Sequence, residues 1–214
     1  MADVAVAHGP GGAEHPETTT GLPHTKLAMW LFLASECLLF GALISTYVLY
    51  RGRGDPAQGP FPADVFDIPY TSVSSFVLLA SSVTMVLALS AAQQGDAGRM
   101  RLWLLTTALL GMTFVGGQVY EFTVFFDEGL KLSTNLFSST FYVLTGFHGV
   151  HVTVGVLMLL SLVGMSFARR LPSDPSFPIE MVGLYWHFVD IVWIVIFTVV
   201  YLIPTPNPGG PGGA

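Results

Sequence analysis

The chain has 214 residues, 52% of them hydrophobic and only 10% charged, with a formal net charge of −6 and a mean hydropathy of +0.63. Soluble domains carry about 25% charged residues, so the composition excludes an ordinary soluble globule and reads as an integral membrane protein. No basic, aromatic-interleaved surface of the kind that binds nucleic acid is present, and the single cysteine, Cys37, excludes an intrachain disulfide, a thiolate-bridged dicopper centre and a CxxCH haem attachment in this chain.

Residues 1–24 are rich in Gly, Pro, Thr, His and Ala and lack the basic-then-apolar order of a cleavable signal peptide. They read as a disordered tail, in which His8, His15 and His24 are solvated rather than metal-binding. Residues 25–203 then carry five segments with the roughly 20 mostly apolar residues that a spanning helix needs. These are Leu27 to Tyr50, Tyr70 to Gln93, Leu102 to Phe125, Leu136 to Phe167 and Met181 to Ile203. The fourth is long enough to tilt or to begin with a short interfacial turn near Ser138 and Ser139. Between the spans lie Arg51 to Pro69, Gln94 to Arg101, Phe126 to Asn135 and the proline-rich Ala168 to Glu180; Pro204 to Ala214 is a second tail, rich in Pro and Gly. The predicted fold class is therefore all-α, a bundle of five transmembrane helices with no second domain.

Lys and Arg residues favour the cytoplasmic side of a membrane. An N-terminus inside places Lys26, Arg99, Arg101, Arg169 and Arg170 in the cytoplasm against Arg51, Arg53 and Lys131 outside, so the expectation is N-in and C-out in a prokaryotic cell membrane. Trp30, Tyr47, Tyr50, Tyr70, Trp103 and Tyr201 near span ends fit an aromatic belt. Small residues recur inside the spans, among them Gly111, Gly117, Gly146, Gly149 and Gly155, and let helix backbones approach closely within the chain or against another one.

Three acids, Glu36, Glu121 and Asp190, lie inside the spans, whereas every Lys and Arg lies at or beyond their ends. A carboxyl group at the bilayer centre costs a few kcal/mol. With no helix-borne cation available, each must be protonated or accept hydrogen bonds from His, Tyr, Trp or hydroxyl donors. At about 1.5 Å per residue, Glu36 sits roughly 15 Å beyond Lys26, and Asp190, His148 and His151 share that midplane depth; Glu121 lies nearer the outer surface. His148 and His151 stand at i and i+3, as do His187 and Asp190, each pair on one helix face. A di-metal bundle site wants repeated Glu-x-x-His pairs, and no helix has a Glu three residues before a His, so no metal site is expected. The simplest reading is histidines bonding across helices to hold the bundle in register, with proton handling as the alternative. Trp186 and Trp193, seven residues apart, share a face that suits lipid, another subunit or plain packing.

The string from Thr145 to Val152 (TGFHGVHV), followed by YWHFVDIVW from Tyr185 to Trp193, resembles the signature of subunit III of the haem-copper respiratory oxidases. The motif Ala34-Ser35-Glu36 and the stretch Gly117 to Phe122 (GQVYEF) are similar to the same family in the same order, so the resemblance covers roughly residues 25–203. It implies a helical subunit that binds no redox centre itself and packs against the catalytic subunit, with haem and copper in partner chains and phospholipid held tightly. It further implies support of proton uptake and protection from inactivation during turnover, and Glu36 aligns with the family's buried membrane carboxylate. Subunits I and II are the implied partners, with cytochrome c delivering electrons through subunit II. Larger members have seven helices, whereas this chain lacks the first two. Quinol-oxidising relatives also have a five-helix subunit III; Glu36 with the TGFHGVH string leans towards the cytochrome c branch. From a different functional class, an independent proton channel or transporter also uses intramembrane acids and histidines, although no inverted repeat is present. A purely structural assembly factor is a third reading.

Overall fold

The computed structural model describes residues 23–51, 67–133, 136–172 and 174–203. The expected tails, apart from Pro23, His24 and the helix they open, and most of the Arg51 to Pro69 loop with Arg53, lie outside the described residues. Those described form five helices of membrane-spanning length and apolarity, with no strand among them. They are α1 (His24–Tyr50), α2 (Ile68–Gln93), α3 (Ala97–Asp127), α4 (Leu136–Phe167) and α5 (Ser176–Phe197), the last continued by a π-helical turn, Thr198–Leu202.

The element order is the expected one, but α3 and α5 each begin five residues before the predicted span. Asp96 accepts hydrogen bonds from the amides of Gly98 and Arg99 at 3.1 and 3.0 Å, so helix α3 starts at its cap and carries Arg99 and Arg101 in its first turns. At α5, Asp174 Oδ1 accepts from the amide and hydroxyl of Ser176 at 3.0 and 2.6 Å. Pro178 then falls in the first turn, where the missing N–H has no intrahelical partner to lose. Hydropathy marks where a helix becomes oily, whereas the cap marks where it begins. Helix α4 runs unbroken over all 32 residues.

Two helix ends close with the same motif. Gly95 (φ +74°) follows α2, with Asp96 N bonded to Ala91 O at 3.0 Å, and Gly129 (φ +89°) follows α3, with Leu130 N bonded to Phe125 O at 2.9 Å. Glycine is suited to this left-handed closing position. Helix α4 closes likewise, with Arg170 N on Met165 O at 2.9 Å, but a non-glycine, Arg169 (φ 53°), occupies the turn.

Helix α2 packs chiefly on α3, α3 on α4, and α5 lies across α2 and α4, while α1 rests on α4 and α5. Only Leu33, Phe40 and Tyr47 of α1 are buried; their spacing of seven defines one narrow seam, as in coiled coils. Its starting end is tied by an ion pair from Lys26 to Glu180 of α5 at 2.5 Å, and its far end by Tyr47 against Phe137 of α4, ring centroids 5.2 Å apart. Alternate helices run in opposite directions, so the start of α1, the α2/α3 turn and the α4/α5 loop share one end of the bundle.

Candidate functional site

Helices α1, α4 and α5 converge on a polar pair halfway along the bundle. His151 Nε2 lies 3.1 Å from Glu36 Oε2, and each side chain is 15% exposed. His151 Nδ1 lies 2.7 Å from the Phe147 carbonyl oxygen one turn back. A carbonyl only accepts, so Nδ1 carries a hydrogen and donates. In a neutral ring Nε2 is then the acceptor, and the bond to Glu36 needs a further proton between the two side chains. The pair is therefore either carboxylic acid with imidazole or carboxylate with imidazolium. Both forms are neutral overall, as a membrane interior favours. The Tyr185 hydroxyl donates to His151 O at 3.0 Å, Phe40 packs edge-on against the His151 ring at 4.9 Å, and Phe32 stacks on Tyr185 at 6.3 Å.

The sequence places His148 with His151, but the structure separates them. His148 turns into the core, fully buried, with its ring stacked on Trp193 at 4.8 Å and met edge-on by Phe114 at 6.0 Å. Neither of its ring nitrogens has a hydrogen-bond partner, so cross-helix bonding, found for His151, does not extend to it. His187 does bond across helices, with Nδ1 at 2.6 Å from Ser82 Oγ of α2. Asp190, 3% exposed, lies near the same Ser82 hydroxyl, and neither of its carboxylate oxygens has a partner within hydrogen-bond geometry. Glu121 lies towards the other end of the bundle from Lys26, and accepts from Thr71 Oγ1 at 2.6 Å and from Tyr201. The π-helical turn carries Tyr201 inward to reach it, and Arg51 Nη1 donates to Val199 O in that turn at 3.3 Å. Such turns often mark functional positions, and no periodicity in the sequence discloses this one.

Trp186 and Trp193 do share a face, but it looks into the chain rather than towards lipid or another subunit. Their indole N–H groups donate to Ser81 and Ser75 of α2, each at 2.9 Å. A Cβ added at Gly111 would stand 2.5 Å from the Trp186 ring, and one at Gly155 2.8 Å, so the indole fits only because both helices carry glycine beside it. Among the described residues no three His, Cys, Asp or Glu side chains gather where a metal ion could sit. His148, the one described histidine with both ring nitrogens unbonded, is packed among the Phe114, Phe40 and Trp193 rings.

The sequence profile described as cytochrome c oxidase subunit III matches residues 3–204. The chain is 38% identical over 192 residues to the cytochrome bo(3) ubiquinol oxidase subunit 3 of Pseudomonas aeruginosa, covering 90% of this chain and 91% of that one. It is 38% identical over 194 residues to the cytochrome c oxidase subunit 3 of Bacillus sp. (strain PS3), covering 91% and 92%. With the quinol oxidase subunit 3 of Bacillus subtilis it shares 38% over 177 residues, covering 83% and 86%.

Proposed function

Because this chain belongs to the cytochrome c oxidase subunit III family, we propose that it is a non-redox accessory subunit of a proton-pumping haem-copper terminal oxidase. The carrying observation is similarity along nine-tenths of both chains to subunit 3 of such enzymes. In this reading it spans the prokaryotic cell membrane beside subunits I and II, which hold the haem and copper. It stabilises the catalytic subunit, holds phospholipid and supports proton uptake while dioxygen is reduced to water. The half-buried Glu36–His151 pair suits that last role, because it shares one proton at mid-membrane without carrying net charge. In this reading the redox groups belong to the partner subunits, and no redox step is assigned to this chain.

The electron donor is cytochrome c or quinol. Relatives named for each donor stand at the same identity, 38%, so the lean towards cytochrome c rests only on Glu36 with the TGFHGVH string. Purifying the native complex through a tag on this chain tests both levels. Haem absorption and a copurifying catalytic subunit are expected, and a dicopper-bearing subunit II identifies cytochrome c as donor. A chain that purifies without a haem protein and conducts protons in liposomes is instead a channel. An assembly-only role predicts that Glu36→Gln leaves turnover lifetime unchanged, whereas the proposed role predicts faster inactivation at normal assembly.

A further inference from the structure

A groove between α3 and α4, about 290 Å³ in volume, opens on the membrane-facing surface and is walled by Val115, Val119, Gly146, Gly149 and Val150. Two polar side chains line it: Thr153, whose hydroxyl donates to Gly149 O at 2.8 Å, and Gln118, itself only 7% exposed. Its Nε2 donates to Thr145 O at 3.1 Å, which fixes the orientation of the amide. Its Oε1 lies over Gly149, 2.7 Å from where a Cβ would stand, and accepts no hydrogen bond from the described residues. Lipid tails offer no donor, so an amide oxygen left towards them is an unmet acceptor.

Gly146 supplies a second, independent observation. A Cβ there would meet nothing within 4 Å, so no neighbour in this chain requires the glycine. The space it leaves is open to something outside, between the exposed side chains of Phe147 and Val150. Small residues that let backbones approach, with a polar group bonding across, are how membrane helices associate.

We infer that this groove receives a transmembrane helix of a partner oxidase subunit, seated on Gly146 and Gly149 and donating a hydrogen bond from a polar side chain to Gln118 Oε1. The inference rests on the proposed function, which places the chain inside a multi-subunit oxidase. A lipid tail is the competing occupant; it is fluid, yields to added bulk and donates nothing.

The test uses the intact complex. Gly146→Leu adds bulk that this chain accommodates, and it is expected to lower the yield of copurifying subunits about tenfold, equivalent to about 1.4 kcal/mol. Val83→Phe adds similar bulk at an exposed position of α2 and is expected to leave the yield unchanged. A photoreactive label on Val150→Cys, in a Cys37→Ser background, is expected to attach to a membrane-spanning peptide of another oxidase subunit. Labelled phospholipid, or a Gly146→Leu complex recovered at wild-type yield, overturns this inference while the proposed function stands. A wild-type chain without a haem-bearing companion sinks both.

Discussion

Glu36 and His151 are held by a single bond whose proton count follows from geometry, because the Phe147 carbonyl occupies the other ring nitrogen of His151. The side-chain amide of Gln donates to a neutral imidazole as a carboxylic acid does. Glu36→Gln is therefore expected to hold α1 on α4 with less than about 1 kcal/mol lost, in the range of interhelical membrane hydrogen bonds. His151→Leu leaves the carboxyl without its partner and is expected to cost about 1–3 kcal/mol. Thermal unfolding of the two variants in the same detergent measures the difference, and equal losses would show that the bond contributes nothing specific. That Glu36 and His151 stand at one level of the bundle was legible from residue counting, but the divergence of His148 from His151 was not. Residues three apart on a helix point about 60° from each other, which in a bundle suffices to turn one ring towards α1 and the other into the core between Trp193 and Phe114.

Helices α3, α4 and α5 meet where the Trp186 indole fits between Gly111 and Gly155. Gly155→Ala forces a methyl against that ring and is expected to destabilise the bundle by about 1–3 kcal/mol, the usual cost of overpacking. Gly164→Ala, on the same helix with open space around it, is expected to be neutral or stabilising by up to about 1 kcal/mol. The sequence marks Gly155 as a point of close approach without saying which neighbour approaches. At the end of α4, Arg169 holds a left-handed conformation that disfavours side chains by about 1–2 kcal/mol. Arg169→Gly is expected to raise the thermal midpoint, in contrast to most glycine substitutions. The start of α5 carries its own pH dependence. Bonds from Ser176 hold the Asp174 carboxyl below its ordinary value of 3.8. A depressed folded value stabilises above the unfolded one and is lost as pH falls through the folded one. Hydrogen-exchange protection at the Ser176 amide should thus be unchanged from pH 7 to 5 and should fall only in stronger acid.

At the scale of the whole molecule, the five spans and their order are encoded in runs of apolar residues, which a bilayer forces into helices because no water is there to bond an open backbone. Which way the bundle points is a matter of charge. One end carries Lys26, paired with Glu180, together with Arg101, whose Nε and Nη2 donate to Ser166 Oγ and O at 2.7 and 2.9 Å. That end also bears Arg99, Arg169 and Arg170, while Arg51 and Lys131 stand among the described residues at the other, so the preference of basic residues for the inner side predicts that the first end is cytoplasmic. Cysteine labelling in a Cys37→Ser background tests this without altering a charge. Pro172→Cys lies in the exposed α4/α5 loop and Leu132→Cys in the exposed loop after α3. A membrane-impermeant maleimide added to intact cells is expected to label Leu132→Cys and to reach Pro172→Cys only after the cells are opened. The reverse pattern would place the five basic residues outside and invert the depth assigned to Glu121. The acid held by Thr71 and Tyr201 would then face the cytoplasmic supply of protons, and Glu121 would become the intramembrane carboxyl nearest to it.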